Sequence, residues 1–175
     1  MIQFYQASEE HFSAMEVSVM KNIRMVLFGE LVLFLATFCF ALSNAGWSSA
    51  EWFLDLPSII MILLVLVPGL VVMGAWKDFS KSFSVGIRHY TLLELKNIIG
   101  AVAVAQKLTV LGALFSIIAS GVMLLGNLDD LAAIGPNLAV CFLSGFYAVI
   151  VEFFLLPLKL NAERKMNEEM DLGDE

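Results

Sequence analysis

Charge is what this 175-residue sequence has least of. Asp, Glu, Lys and Arg together make up 15% of it, where a soluble domain carries about a quarter. With 59% hydrophobic residues and a mean hydropathy of +0.84, that scarcity excludes an ordinary soluble domain. Cysteine is also sparse. Cys39 and Cys141 fall inside apolar runs and read as small packing residues rather than a disulfide. His11 and His89 stand alone, with no Cys or carboxylate at ligand spacing, which argues against a metal centre. An enzyme is disfavoured as well: no nucleophile–base pair is visible, and Ser144 beside Gly145 has no His within any span. There is no internal repeat and no inverted pair of broken helices of the transporter kind. Residues 1–20 are polar and mildly amphipathic, unlike a cleavable signal peptide.

What is present is apolar length. Four runs, 25–44, 56–76, 108–126 and 133–158, are each long enough to cross a hydrocarbon core about 30 Å thick. The few basic residues are placed asymmetrically. Lys21 and Arg24 precede the first run. Lys77, Lys81, Arg88, Lys96 and Lys107 lie between the second and third, and Lys159, Arg164 and Lys165 follow the fourth. The other two loops, "AGWSSAEWFLD" and "NLDDLAA", carry acids and no Lys or Arg. The positive-inside rule then puts both termini and the middle segment in the cytoplasm. Trp47 and Trp52 fall at the outer boundary and Trp76 at the inner one, where amphipathic rings settle.

The expected fold is an all-α integral membrane protein with four transmembrane helices. Its parts are an interfacial or cytoplasmic helix over 1–23, a first hairpin over 24–76, a short cytoplasmic helical segment over 77–107, a second hairpin over 108–158 and an acidic tail over 159–175. The interfacial helix carries an apolar stripe of Tyr5, Phe12, Met15 and Val19 opposite Glu9, Glu10 and Glu16. No Pro interrupts Leu93 to Gly126, so the third span extends down as one helix of about 50 Å. The tail is expected to fray.

Polar residues inside the spans are the candidates for chemistry. Gly112, Ser116 and Ser120 recur every four residues and share a face. Small residues at that spacing let helices approach closely; the same hydroxyls also leave room for water and offer ion ligands. On the fourth span Cys141, Ser144 or Gly145, Ala148 and Glu152 step along one side. A charge at helix centre costs about 2.5–3.5 kcal/mol on insertion scales. Glu152 therefore either snorkels or pairs, or carries function. Glu30, near Arg24 and Lys21, reads as snorkelling or paired. Pro157 frees the carbonyl of Phe153, and either ends the helix or kinks it.

Three segments taken together resemble the MotA/TolQ/ExbB family of ion-driven motor subunits, closest to its flagellar stator branch, MotA. "FLDLPSIIMILLVLVPGLVVMGAWKDFSKSF" resembles the second span and its cytoplasmic exit. "LTVLGALFSIIASGVMLLGNLDDLAAIGPNLAVCFLSGFYAVIVEFFLLPLK" resembles the third and fourth, including the outer "NLDD", the "GP" that restarts the helix and the "FFLLPL" ending. The likeness covers about half the chain and rests on order and spacing.

It implies an ion-driven subunit of the bacterial inner membrane. Five copies would ring two copies of a single-span MotB/TolR/ExbD-like partner, whose membrane Asp loads and unloads a proton or sodium. No other cofactor and no nucleic acid is implied. By position, Ser116 takes the third-span hydroxyl, and Ser144 with Gly145 takes a pair that usually ends in Thr, so the second hydroxyl is absent. Thr109 stands where a third-span Pro is usual, and Pro157 matches the coupling Pro. Gly112, Ser120 and Ala148 remain packing positions. Val140 stands where ExbB and TolQ keep a Glu, and Glu152 where a neutral polar residue is common. About thirty residues replace the family's sizeable middle domain, and with it the charged residues that grip a rotor. The reading from a different class is a four-span structural adaptor without ion conduction.

Overall fold

The structure, a computed structural model, describes residues 23–46, 53–85 and 87–173. The segment over 1–20 and the boundary residues Trp47 and Trp52 lie outside these. Among the described residues five helices follow one another: α1 Ile23–Ala45, α2 Leu56–Val72, α3 Trp76–Ser82, α4 Leu92–Gly126 and α5 Leu131–Gly173. Of these, α1, α4 and α5 are long and apolar enough to cross a membrane, and α2 with α3 makes a fourth crossing if the bent pair counts as one.

The second apolar run does not continue straight to Trp76. α2 has 17 residues, about 25 Å at 1.5 Å per residue. It begins at an Asp55 N-cap, whose carboxylate accepts from the Ser58 N–H at 3.1 Å, with Pro57 in the first turn. It stops at Gly74, whose φ of 69° is the left-handed conformation that favours glycine. There the Ala75 N–H bonds the Leu70 carbonyl at 2.9 Å, a glycine-type helix stop. The chain then turns through 110° into α3.

In the fourth span one open alternative is decided and one expectation is corrected. Pro157 does not end the helix: α5 runs through both Pro136 and Pro157 to Gly173, 43 residues in all. The acidic tail does not fray at Lys159 either. Lys159 pairs with Glu163 at 3.7 Å, Arg164 with Glu168 at 3.5 Å, and Lys165 with Glu168. Acids placed after bases at helical spacing neutralise the tail along its own face.

α4 and α5 form a long antiparallel pair, and α2 lies against both. The central core gathers Leu66 and Leu70 of α2, Val102, Ala105 and Leu108 of α4, and Leu155 and Leu158 of α5. α1 is attached along one stripe. Val26 and Leu27 touch that core, Phe34 meets Phe154 edge-on, and Phe38 meets Phe53. Leu42 near its end is also buried, while most of the rest of α1, including Phe28 and Phe40, is exposed. An apolar helix exposed almost all round suits lipid rather than water.

α2 and the α4–α5 pair are out of step. Ser58, in the first turn of α2, bonds Ser144, so α2 begins level with a point about a third of the way along α5. From Ser116 to Gly126, α4 continues about 15 Å further at 1.5 Å per residue. Asp55 therefore sits at the foot of a step walled by the α4–α5 tip.

At the other end α3 rests Phe79 on the central core and is tied to α4 by a charged contact at the surface. Thr91 and Glu94 cap α4 reciprocally, and Lys81 reaches Asp78 at 3.2 Å and Glu94 at 3.3 Å. The Thr91 backbone N–H first, then Lys81, hold the Glu94 carboxyl below its ordinary value. Bonding to Asp78 and then Glu94 holds Lys81 above its own. A depressed acid contributes above its unfolded pKa and loses that contribution as pH falls through the folded one. A raised base contributes below its unfolded pKa and loses it on the alkaline side. The docking of α3 should therefore be flat near neutrality and loosen only below the ordinary carboxylate value of 4.5 or above the lysine value of 10.5. Trp76 emission, with Trp47 and Trp52 changed to Phe, reads this directly. In Glu94→Gln, which keeps the cap but not the charge, the acid-side change should vanish.

Candidate functional site

Inside this apolar bundle lies a row of bonded hydroxyls drawn from three helices. Ser116 of α4 and Ser144 of α5 are 2.7 Å apart, and Ser144 donates towards Ser58 of α2 at 2.9 Å. The Ser58 hydroxyl in turn donates to the Asp55 carboxylate. Ser58, Ser116 and Ser144 are all buried. Each hydroxyl carries a single proton, so the row has a direction: Ser116 to Ser144 to Ser58 to the carboxylate. Ser144 has a second acceptor, the Val140 carbonyl at 2.8 Å, and its proton must choose between the two.

The end of the row is fixed from α5. The Tyr147 hydroxyl donates to the Phe53 carbonyl and accepts from the Asp55 N–H at 2.8 Å. Phe53 itself packs between Phe38 and Phe146. These contacts hold the start of α2 against the Ser144–Tyr147 stretch of α5.

Close approach of the backbones makes the row possible. A Cβ on Gly112 would meet the Ile62 Cα at 3.0 Å and its carbonyl at 3.3 Å, so α2 and α4 touch backbone to backbone there. Ser120 is buried on the same face, and Ala148 joins Ile62 and Ala113 in a small cluster beside it. Thr109 is buried too, but its hydroxyl is spent on the Ala105 carbonyl of its own helix at 3.0 Å. Pro157 is buried between Leu155 and Leu158 in the α5 face that packs on the core.

The polar residues of α5 divide between two faces. Ser144 and Ala148 point into the bundle. Glu152 instead lines an open groove with Gln106, Lys107, Val110 and Leu111, and a Cβ on Gly145, seven residues before it, would meet nothing within 4 Å. One oxygen of Glu152, Oε1, is shielded from solvent and has no hydrogen-bond partner among the described residues. The same is true of Glu30 Oε2 on α1; the side chains of Lys21 and Arg24, its expected partners, lie outside the described ones.

Sequence reading passed over Asp55, Ser58, Tyr147 and Gln106. "DLPS" is a helix-start signature that could have marked the first two. Their partner, however, is 86 residues away from Ser58 in sequence, and local pattern does not reach that far. Among the described residues no group of His, Cys, Asp and Glu is placed to hold a metal ion. Compared with known proteins, the chain matches no family model, no curated protein and no solved structure.

Proposed function

We propose that this chain is a subunit of an ion-driven membrane motor of the MotA/TolQ/ExbB kind, carrying protons or sodium across the inner membrane of a bacterium. Five copies ring a dimer of a single-span, Asp-bearing partner, and ion flow at that interface is converted into rotation or force. The observation that carries this reading is the row of buried hydroxyls ending on Asp55 within otherwise apolar helices. Polar groups at membrane depth are expensive, and where they occur they mark ion pathways and proton relays. With the basic ends cytoplasmic, Asp55 faces the outer side at the foot of the step between α2 and the α4–α5 pair. Water can reach it there, and the row leads from it into the bundle.

A second reading is favoured by one specific feature. Every hydroxyl in the row already has a partner inside the chain, as a bundle held together for structural reasons would require. On that reading the protein is a four-span adaptor, and the serines are cross-helix ties.

Native mass spectrometry of the tagged protein, taken from its own membrane in mild detergent, separates the two. The motor reading expects five copies with two of a small single-span protein bearing a membrane Asp. A homo-oligomer without such a companion, in detergent gentle enough to retain it, would establish the adaptor instead.

A further inference from the structure

We infer that this chain carries an ion-binding carboxyl of its own: Glu152, set in the groove between α4 and α5 with Gln106 beside it, takes up and releases a proton or sodium ion. The inference rests on the ion-driven reading for its purpose, but not for its chemistry. The groove is open, about 500 Å³, and floored by Val110 and Leu111. Glu152 and Gln106 stand in it where neighbours on both helices are exposed and apolar: Leu114, Ile118, Val149 and Leu156. A carboxylate in such a wall is stable only with a counter-ion, a donor or a proton of its own. Oε1 has none of the first two among the described residues, and Gln106 is the polar side chain within reach of the carboxyl. An amide beside a half-shielded carboxyl offers one more oxygen ligand to a small cation, or one donor to the ionised form.

The charged surroundings are few. Lys107 lines the groove on the α4 side and, among the described residues, makes no ion pair with either acid of the spans. On α5 the nearest charge is Lys159, two turns on and about 10 Å away at 1.5 Å per residue. α2 has no charged residue. Glu30 belongs to α1, whose groove with α5 is lined by Ile150, Val151 and Phe154 on another side of that helix. Lys107 shares the groove with Glu152. Its ammonium can balance the carboxylate charge once the ion has left, and it repels a cation that remains. The hydroxyl row and this carboxyl sit on different faces of α5 and about two turns apart. The chain thus has one polar site opening towards the tip and one opening towards the basic end.

The test uses the full chain in vesicles of its native lipids, treated with dicyclohexylcarbodiimide. A protonated carboxyl adds across one C=N bond of that reagent, and acyl migration to nitrogen leaves the whole reagent attached. Peptide mass spectrometry then reads the modified fraction at Glu152, with Glu163 and Glu168 as solvent-facing comparisons. The expected result is modification at Glu152 that falls about tenfold per pH unit above its midpoint, and that is lost in Glu152→Gln while size and melting stay as in the parent. Sodium protection at constant pH would identify sodium as the ion, and indifference to sodium would identify the proton; both support the site. An unmodified Glu152, or one modified equally at every pH and sodium level, would overturn it. The reaction needs neither ring nor partner. A titrating Glu152 in a chain that forms no ring would sink the motor and leave this site standing.

Discussion

Gly112→Leu is expected to separate α2 from the α4–α5 pair, lowering the melting temperature sharply and exposing the start of α2 to protease. The reason is geometric. A Cβ at Gly112 meets the Ile62 backbone at 3.0 Å and Val65 at 3.3 Å, and backbone cannot turn aside as a side chain can. Even Gly112→Ala forces a shift of a few tenths of an ångström, at about 1–3 kcal/mol for overpacking. Gly69→Ala is the informative middle case, because its Cβ would meet only the ends of Leu108, at 2.8 Å, which can rotate. Gly121→Ala, with nothing within 4 Å, should instead gain up to about 1 kcal/mol of helix propensity. Thermal melting in detergent of the three alanine variants gives the order Gly121, Gly69, Gly112. A stable Gly112→Leu would mean that α2 does not rest where the structure has it.

That contact also marks how far the sequence could be read. Apolar length announced the helices, because only a helix or a barrel satisfies its backbone in lipid. The four-residue spacing of Gly112, Ser116 and Ser120 announced a face for close packing. What length and spacing could not give was the partner and its register. Nothing local says that Ile62 lies against Gly112, or that α2 begins level with Ser144. The early stop of α2 lay hidden in a run that stayed apolar to Trp76. Pro157 left two outcomes open, an end or a kink: proline removes one hydrogen bond, yet the flanking Leu155 and Leu158 are held in the core, and packing carries the helix through.

The candidate site was half legible for a related reason. Ser116, Ser144 and Glu152 are conspicuous as polar residues in apolar runs, and composition alone singles them out. Their grouping is a matter of angle. Ser144 and Gly145 are adjacent in sequence but 100° apart around a helix of 3.6 residues per turn. One residue decides which face is meant, and a reading that takes "Ser144 or Gly145" leaves both open. In the fold the first joins the interior row, and the second lies in line with Glu152. For Asp55 and Ser58 the most that neighbours in sequence can reveal is a helix cap, which says nothing of Ser144.

Ser144 is where the two readings of the protein part, and its variants should show both energy and function. Ser144→Ala removes the central hydroxyl and leaves that of Ser116 buried without its partner, a loss of about 1–3 kcal/mol. Ser116→Ala leaves Ser144 with two acceptors still, Ser58 and the Val140 carbonyl, so its cost should be smaller. The double variant removes both ends of the bond and should recover much of the loss, since two matched apolar groups leave nothing unsatisfied. Ion flux in vesicles then divides the alternatives. If the row is a relay, the double variant regains stability but not flux, because no hydroxyl remains to link Asp55 and Ser58 to α4. If the serines are ties, stability and assembly return together and no ion-dependent property is lost. Ser144→Thr keeps the hydroxyl and adds a methyl group in the buried space between Ser58 and Ser116. It should conduct while melting lower, the opposite pairing to the double variant, and the two variants together separate the role of the oxygen from that of the space it fills.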